Sequence, residues 1–483
     1  MKSGVALLCI FVFQVASAFQ HACPYKECYC DGNTIMCTNM GLNSTPQIIS
    51  NSTPGITTLY LDMNNITHIP SGSLPGNLTE IILDENPITT IDDDAFVGSA
   101  NTLQTLSFMG ARFTDIPKAL MRLRALKHFG LYNSNVRNWT DEVMKNIGSK
   151  LESLTLENAG VIPSLSWIKY FPNLMELIIE GCFLSSLPDN VLDKLTDRLV
   201  TLSFANNSLT EVPKDFSRLK FIEKLDLGYN KISNITWLPR SKLTSLVLNN
   251  NRIYDVVLLS SILQSSANSL ETLTLQVNQL ESIPDFTFLK NLLKLDLTHN
   301  TISDPYSGSM PVDMFALDLG YNLLPYIPRA MSNLTRLNDL TLISNLVREI
   351  TASDFPSGVI WVHLGYNLIT ELKDSTFPPN STIQYLHLNN NPISRISLKA
   401  FQNLPNVTLV NLAGTRITRV PLALATVSSL IVFNATGCSR LVCTCQENSL
   451  ASLFLPLLPG DIHGDCGVTS IYAFFANLSS GCP

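Results

Sequence analysis

Charged side chains are scarce in this chain. Asp, Glu, Lys and Arg make up 15% of its 483 residues, against about 25% in an average soluble domain. Hydrophobic residues reach 45%. Low charge with high hydrophobicity excludes intrinsic disorder, which needs the reverse. Basic charge is in deficit too: 32 Lys and Arg face 39 Asp and Glu, for a net charge of −7. Nucleic acid and anionic membrane surfaces recruit cationic faces, so neither is expected as a partner. Catalytic motifs are missing as well. There is no H-E-x-x-H, no G-x-S-x-G and no phosphate-binding glycine loop. Seven histidines lie scattered at His21, His68, His128, His299, His363, His387 and His463. Asp92-Asp93-Asp94 lacks the alternating ligands and glycine of a calcium loop and reads as a solvated turn. The expectation is a non-enzyme without cofactor or resident metal.

A long apolar run appears only at the start, and it is too short to span a bilayer. Lys2 is a positive n-region, Val5 to Val15 an apolar core, and Ala16-Ser17-Ala18 a small-residue cleavage site. Residues 1–18 read as a signal peptide, with Phe19 opening the mature chain. Later, Leu450 to Leu458 is interrupted by Pro456, and no hydrophobic tail follows Cys482-Pro483. A secreted, extracellular protein with no membrane span and no lipid anchor is expected. Twelve Asn-x-Ser/Thr acceptors support a glycoprotein: Asn43, Asn51, Asn65, Asn77, Asn138, Asn206, Asn234, Asn333, Asn380, Asn406, Asn434 and Asn477.

The strongest signal is internal repetition. Leu225-Asp226-Leu227-Gly228-Tyr229-Asn230-Lys231-Ile232 recurs as Leu317-Asp318-Leu319-Gly320-Tyr321-Asn322-Leu323-Leu324. Both fit L-x-x-L-x-L-x-x-N-x-L, the leucine-rich repeat pattern. It can be laid down seventeen times, from Ile56 to Leu430, at about 23 residues per step. Apolar positions 4 and 6 alternate with polar 5 and 7, which makes a short strand with one buried face. Parallel neighbours need a crossover of a dozen or more residues, and this period supplies it. Seven crossovers carry an apolar-Pro pair, Ile69-Pro70, Ile116-Pro117, Leu187-Pro188, Val212-Pro213, Ile283-Pro284, Ile327-Pro328 and Val420-Pro421. Proline disfavours helix before it, so the convex side should be irregular or 3₁₀. Strands about 4.8 Å apart give an inner sheet roughly 80 Å long, curved because the convex side is bulkier. The predicted fold is an α/β solenoid of horseshoe form.

Position 9 calls for a side chain that bonds buried backbone, and Asn has both donor and acceptor. Asn fills eleven of the seventeen sites; Ala111, Ser134, Ala159, Cys182, Thr415 and Cys438 fill the rest. Ala111 and Ala159 cannot make those bonds, so a looser ladder is expected across repeats three to six.

Of eleven cysteines, Cys9 leaves with the signal, and Cys182 and Cys438 read as buried free thiols. The other eight form two clusters of four. Cys23, Cys28, Cys30 and Cys37 precede the array; Cys443, Cys445, Cys466 and Cys482 follow it. In an exported chain such clusters read as disulfide frameworks, with zinc the alternative. Both ends of a repeat array need capping. The expected organisation is a cysteine-rich cap over 19–55, repeats over 56–438 and a second cap over 439–483.

With these clusters, the chain resembles animal extracellular leucine-rich repeat proteins with cysteine-rich flanking caps. The resemblance covers essentially the whole mature chain. It implies pairing of first with third and second with fourth cysteine: Cys23–Cys30, Cys28–Cys37, Cys443–Cys466 and Cys445–Cys482. The C-terminal cap departs from the family pattern, for Leu450 and Leu453 stand where a Trp is usual. The plan is also similar to secreted arthropod proteins of this class, including the non-catalytic subunit of the decapod shrimp luciferase complex.

The candidate site is the concave face. Positions 2, 3, 5, 7 and 8 should face it. Position 5 presents Asp226, Val247, Thr274, Asp296, Asp318, Thr341, His363 and His387. Position 8 presents Tyr229, Asn250, Val277, His299, Tyr321, Ser344 and Tyr366; Trp361, Tyr385 and Phe315 join from positions 3 and 2. Aromatics anchor protein–protein hot spots and also stack on sugars. No glycosylation acceptor falls on a concave strand position between Tyr229 and Asn390, whereas Asn206 and Asn434 do so on either side. Asp at position 5 and Tyr at position 8 are also common decoration of such repeats. His363 and His387 are stacked neighbours, but no carboxylate or Cys in their column completes a metal set, so exposed imidazoles are expected. Three readings follow: binding of a protein or glycoprotein ligand, a stabilising role beside a catalytic partner subunit, and matrix or innate recognition of carbohydrate or microbial surface.

Overall fold

A computed structural model describes residues 23–49, 55–162, 165–331 and 334–478. The signal-peptide segment, Asn51, Asn333 and Cys482 lie outside the described residues. The chain forms two compact units: residues up to 209 with 215–222, and 210–214 with 223 onward.

The first unit opens on an antiparallel hairpin, β1 (Tyr29–Asp31) and β2 (Thr34–Met36). Two disulfides hold it, Cys23–Cys30 and Cys28–Cys37, in the expected pairing. From β2 a parallel ladder runs through β3 (Thr58–Tyr60), β4 (Glu80–Ile82), β5 (Thr105–Met109) and β6 (His128–Tyr132). It continues through β7 (Ser153–Glu157), β8 (Glu176–Glu180) and β9 (Thr201–Ser203).

The second unit carries β10 (Lys224–Asp226), β11 (Ser245–Val247), β12 (Thr272–Thr274), β13 (Lys294–Asp296) and β14 (Ala316–Asp318). Beyond them lie β15 (Asp339–Thr341), β16 (Trp361–His363), β17 (Tyr385–His387), β18 (Leu409–Asn411) and β19 (Val432–Asn434). All these neighbours are parallel and pair repeat position for repeat position. β20 (Ile462–His463) closes the ladder from the C-terminal cap. There Cys443–Cys466 forms as expected, and Cys445 is also disulfide-bonded. Phe433, Phe454 and Phe475 pack at tilted angles with ring centroids 5.6 and 5.0 Å apart, and Leu450 is fully buried.

The repeat register holds in every coil. The position 4 residue of each strand from β3 to β19, Leu59 through Phe433, is at most 2% exposed. Position 8 is left-handed in all seventeen repeats, from Met63 (φ 58°) to Gly437 (φ 73°). All eleven ladder asparagines are buried. Asn322 donates to the carbonyls of Leu297, Leu319 and Gly320 at 2.9, 3.1 and 3.2 Å and accepts from Ile302 N–H at 3.0 Å. Asparagines of this kind tie their own coil to the one before it. Cys182 replaces part of that set. Its thiol, pushed up to about 11 by burial, donates to the carbonyls of Leu156 and Glu180. Cys182 and Cys438 are both free and buried, as expected.

Two expectations need correction. The convex side is not uniformly irregular or 3₁₀. Short 3₁₀ segments do follow Pro117, Pro213, Pro328 and Pro421. The fourth and ninth repeats lack the apolar-Pro pair and instead hold α1 (Asp141–Gly148) and α2 (Val256–Leu263). Without proline the backbone is free to make i to i−4 bonds. In α1 Val143, Met144 and Ile147 then share the buried face, and in α2 the Asp255 side chain caps two N–H groups. The ladder across repeats three to six is not loosened either. Strands β5 to β8 each have five residues, where others such as β3, β4 and β9 to β19 have three. Phe108 and Met109 pair with Leu131 and Tyr132 on the next strand. Backbone pairing takes over the bonding that Ala111 and Ala159 cannot supply.

Candidate functional site

Strand alternation sends the position 3 and position 5 side chains of β10 to β17 outward on one face. Position 8 adds a second column, because the left-handed backbone there turns the chain off the strand. Tyr229, Tyr321 and Tyr366 are 56%, 48% and 56% exposed.

The aspartates of this face have a local duty as well as an outward one. Asp226 accepts from Gly228 N–H at 2.8 Å, Asp296 from Thr298 N–H at 3.0 Å and Asp318 from Gly320 N–H at 2.9 Å. Asn411 and Asn434 accept from Ala413 and Thr436 in the same way. An acceptor at position 5 therefore shapes the strand exit, whether or not it carries charge.

Two clusters form. In the first, Asp296 and Asp318 pair across β13 and β14, and the His299 and Tyr321 rings stack at 4.2 Å. Burial, with the charges of Asp296 and Asp339, raises the Asp318 carboxyl to about 6, although Gly320 N–H and His299 act the other way. A depression of about 260 Å³ opens here, lined by Thr274, Lys294, Asp296, Asp318, Asp339 and Thr341 among others. Lys294 lies over the Phe315 ring, 5.4 Å from its centroid. In the second cluster Trp361 stacks on Tyr385 at 3.5 Å and His363 on His387 at 4.9 Å. Asp339 reaches His363 Nε2 at 3.7 Å. Burial and the neighbouring His363 hold His387 below its ordinary value.

Nine of the eleven candidate residues thus fall along β13 to β17 and the turns that follow them. Asp226 and Tyr229 do not join: three strand steps, about 14 Å, separate β10 from β13. Asp339 was missed in the sequence because position 3 was read for aromatics alone. The Asp92 run serves structure, with Asp92 accepting from Ser71 N–H and Asp94 paired with Arg122. Among the described residues, no three His, Cys, Asp or Glu side chains gather as a metal site, and no helix is long and apolar enough to cross a membrane. Of the ten described glycosylation acceptors, Asn234 and Asn434 are half-buried and the other eight exposed.

The "Leucine rich repeat" family matches residues 172–232 and 358–417, and the "BspA type Leucine rich repeat region (6 copies)" matches 50–169. Keratocan of Gallus gallus is 30% identical over 252 residues, 47% of this chain and 69% of keratocan. Podocan of Mus musculus is 24% identical over 368 residues, 73% of this chain. The chain spans about half of podocan's own length (51%). Among solved structures, the Toll–Spatzle complex of Drosophila superposes with a TM-score of 0.67 at 18% identity, over 83% of this chain and 60% of that one. At that identity the likeness concerns the fold alone.

Proposed function

Because this chain belongs to the leucine-rich repeat family, we propose that it is a secreted, non-enzymatic glycoprotein that captures a protein partner on the concave face of its second unit. Residues 1–18 leave as a signal peptide, 19–55 and 439–483 cap the array, and the acceptor asparagines carry glycans. The observation that carries the reading is a row in which exposed His299, Tyr321, Trp361 and Tyr366 stand beside half-buried Asp296, Asp318 and His363. Aromatic groups held on a rigid sheet are what interface hot spots use, and the acids beside them add charge complementarity for a basic partner. In the test, Asp296 and Asp318 become Asn, which keeps the strand-exit bonds, and Tyr321 and Tyr366 become Ala. Proteins recovered from the native fluid by the wild type should be lost with this variant. Equal recovery would remove the site.

A stabilising role beside the catalytic subunit of a secreted enzyme, as in a luciferase-type complex, is one form of this reading; a co-isolated catalytic chain would identify it. Carbohydrate or microbial-surface recognition draws on the stacked Trp361 and Tyr385. Those two rings already cover one face of each other, which leaves less platform for a sugar.

A further inference from the structure

Beside the concave face lies a second exposed row. Position 10 of repeats twelve, thirteen and fourteen is leucine: Leu323, Leu346 and Leu368, at 45%, 41% and 40% exposure. The flanking repeats carry Thr301 and Pro392 there, and farther ones Lys231, Arg252, Gln279 and Arg416. The three leucines are ranked coil against coil. Leu323 N–H bonds Ile302 O, Leu346 N–H bonds Leu324 O and Leu368 N–H bonds Val347 O, at 2.9, 3.0 and 2.9 Å. Tyr321 and Tyr366 stand two residues before the first and last of them, also exposed. An apolar lip therefore borders the part of the sheet that holds the depression among Asp296, Asp318 and Asp339. Solvent does not explain it, for scattered exposed leucines are normal but a contiguous row marks an interaction surface.

The depression itself lacks a balancing cation. Three carboxylates line it against Lys294 alone, whose ammonium lies over Phe315. Thr274 Oγ1 in its wall is buried without a hydrogen-bond partner. Leucine offers no stacking face and no hydrogen bond to a sugar, whereas it packs well on apolar protein side chains.

We propose that the occupant of this face is an extended protein segment with a basic side chain flanked by apolar ones. The cation enters the depression among Asp296, Asp318 and Asp339, and the apolar side chains lie along Leu323, Leu346 and Leu368. Positions 5 and 10 of one coil lie within about 17 Å along the chain. A segment of about five extended residues spans that distance. This rests on the protein-binding reading above and specifies its partner.

The test uses the full secreted chain and three short synthetic peptides. One alternates Arg with Leu and Phe, its twin has Glu for every Arg, and a third has Ser for every apolar residue. The first should bind at least about tenfold more tightly than either twin. Replacing Leu323, Leu346 and Leu368 by Gln, or Asp296 and Asp339 by Asn, should weaken it by a similar factor, and added salt should act through the aspartates only. Equal binding of the twins, or of the leucine variant, would overturn the proposal. So would binding of a neutral oligosaccharide that depends on Trp361 and Tyr385 alone. If the leucine variant still captures the natural partner while the Asp296, Asp318, Tyr321 and Tyr366 variant does not, this partner chemistry fails and the concave site stands. The leucines are exposed, so secretion and an unchanged melting temperature verify the fold of that variant.

Discussion

Val277 sits at φ 54°, in the left-handed region, where a side chain branched at Cβ crowds the following carbonyl. Asn occupies the same place at Asn250 and Asn390 with φ 54° and 55°, and its short polar side chain tolerates it. Val277→Asn should raise stability by about 1 kcal/mol, read as a higher denaturant midpoint at unchanged slope; a lower midpoint would show that Val277 packs better than it strains. A second residue-scale expectation concerns Asp318. Its folded value, raised from 3.8 to about 6 by burial and by Asp296 and Asp339, lies above the unfolded one. The protonated form is thus favoured in the fold. The stability it contributes is complete below about pH 4 and lost as pH rises through about 6. Asp318→Asn keeps an acceptor for Gly320 N–H. The variant should match the wild type in melting temperature near pH 4 and exceed it near pH 7. A constant difference across that range would contradict the assignment.

At the scale of single coils, the ladder has three ways to satisfy its inner backbone. Asparagine does it in eleven repeats, longer strands do it in repeats three to six, and in the last two the Thr415 hydroxyl and the Cys438 thiol each donate to Leu412 O. Amide exchange in β5 to β8 should therefore be as slow as in β10 to β17, and distinctly faster exchange there would restore the looser-ladder expectation. The coil was almost fully legible in the sequence, because positions 4, 6 and 9 each have one physical job. Leu225, Leu227 and Asn230 announce it locally. The extended strands were not legible, since an alanine at position 9 reports a missing bond and not what replaces it. The helices α1 and α2 could have been read from the absence of proline in their crossovers. Asp339 and the leucine row escaped because columns were read for aromatic and charged residues at chosen positions, and an exposed leucine looks in sequence like a buried one.

At the scale of the molecule, repetition multiplies a small surface into a large one. Each coil offers only a few outward side chains, and β13 to β17 place them side by side at strand spacing. In the proposed binding mode, acid and aromatic groups on the sheet and leucines on its border form one surface, which no single repeat could provide. None of the ten described acceptor asparagines is fully buried. The comparison with keratocan and podocan gives the family; the partner is argued from the face. The most direct measurement is hydroxyl-radical footprinting of the purified protein with and without the partner it is proposed to capture. Tyr321, Trp361 and Tyr366 should lose reactivity when the partner is bound, while Tyr254 and Tyr306, exposed off that face, keep theirs. Protection at Tyr254 or Tyr306 with Tyr321, Trp361 and Tyr366 unchanged would contradict the account.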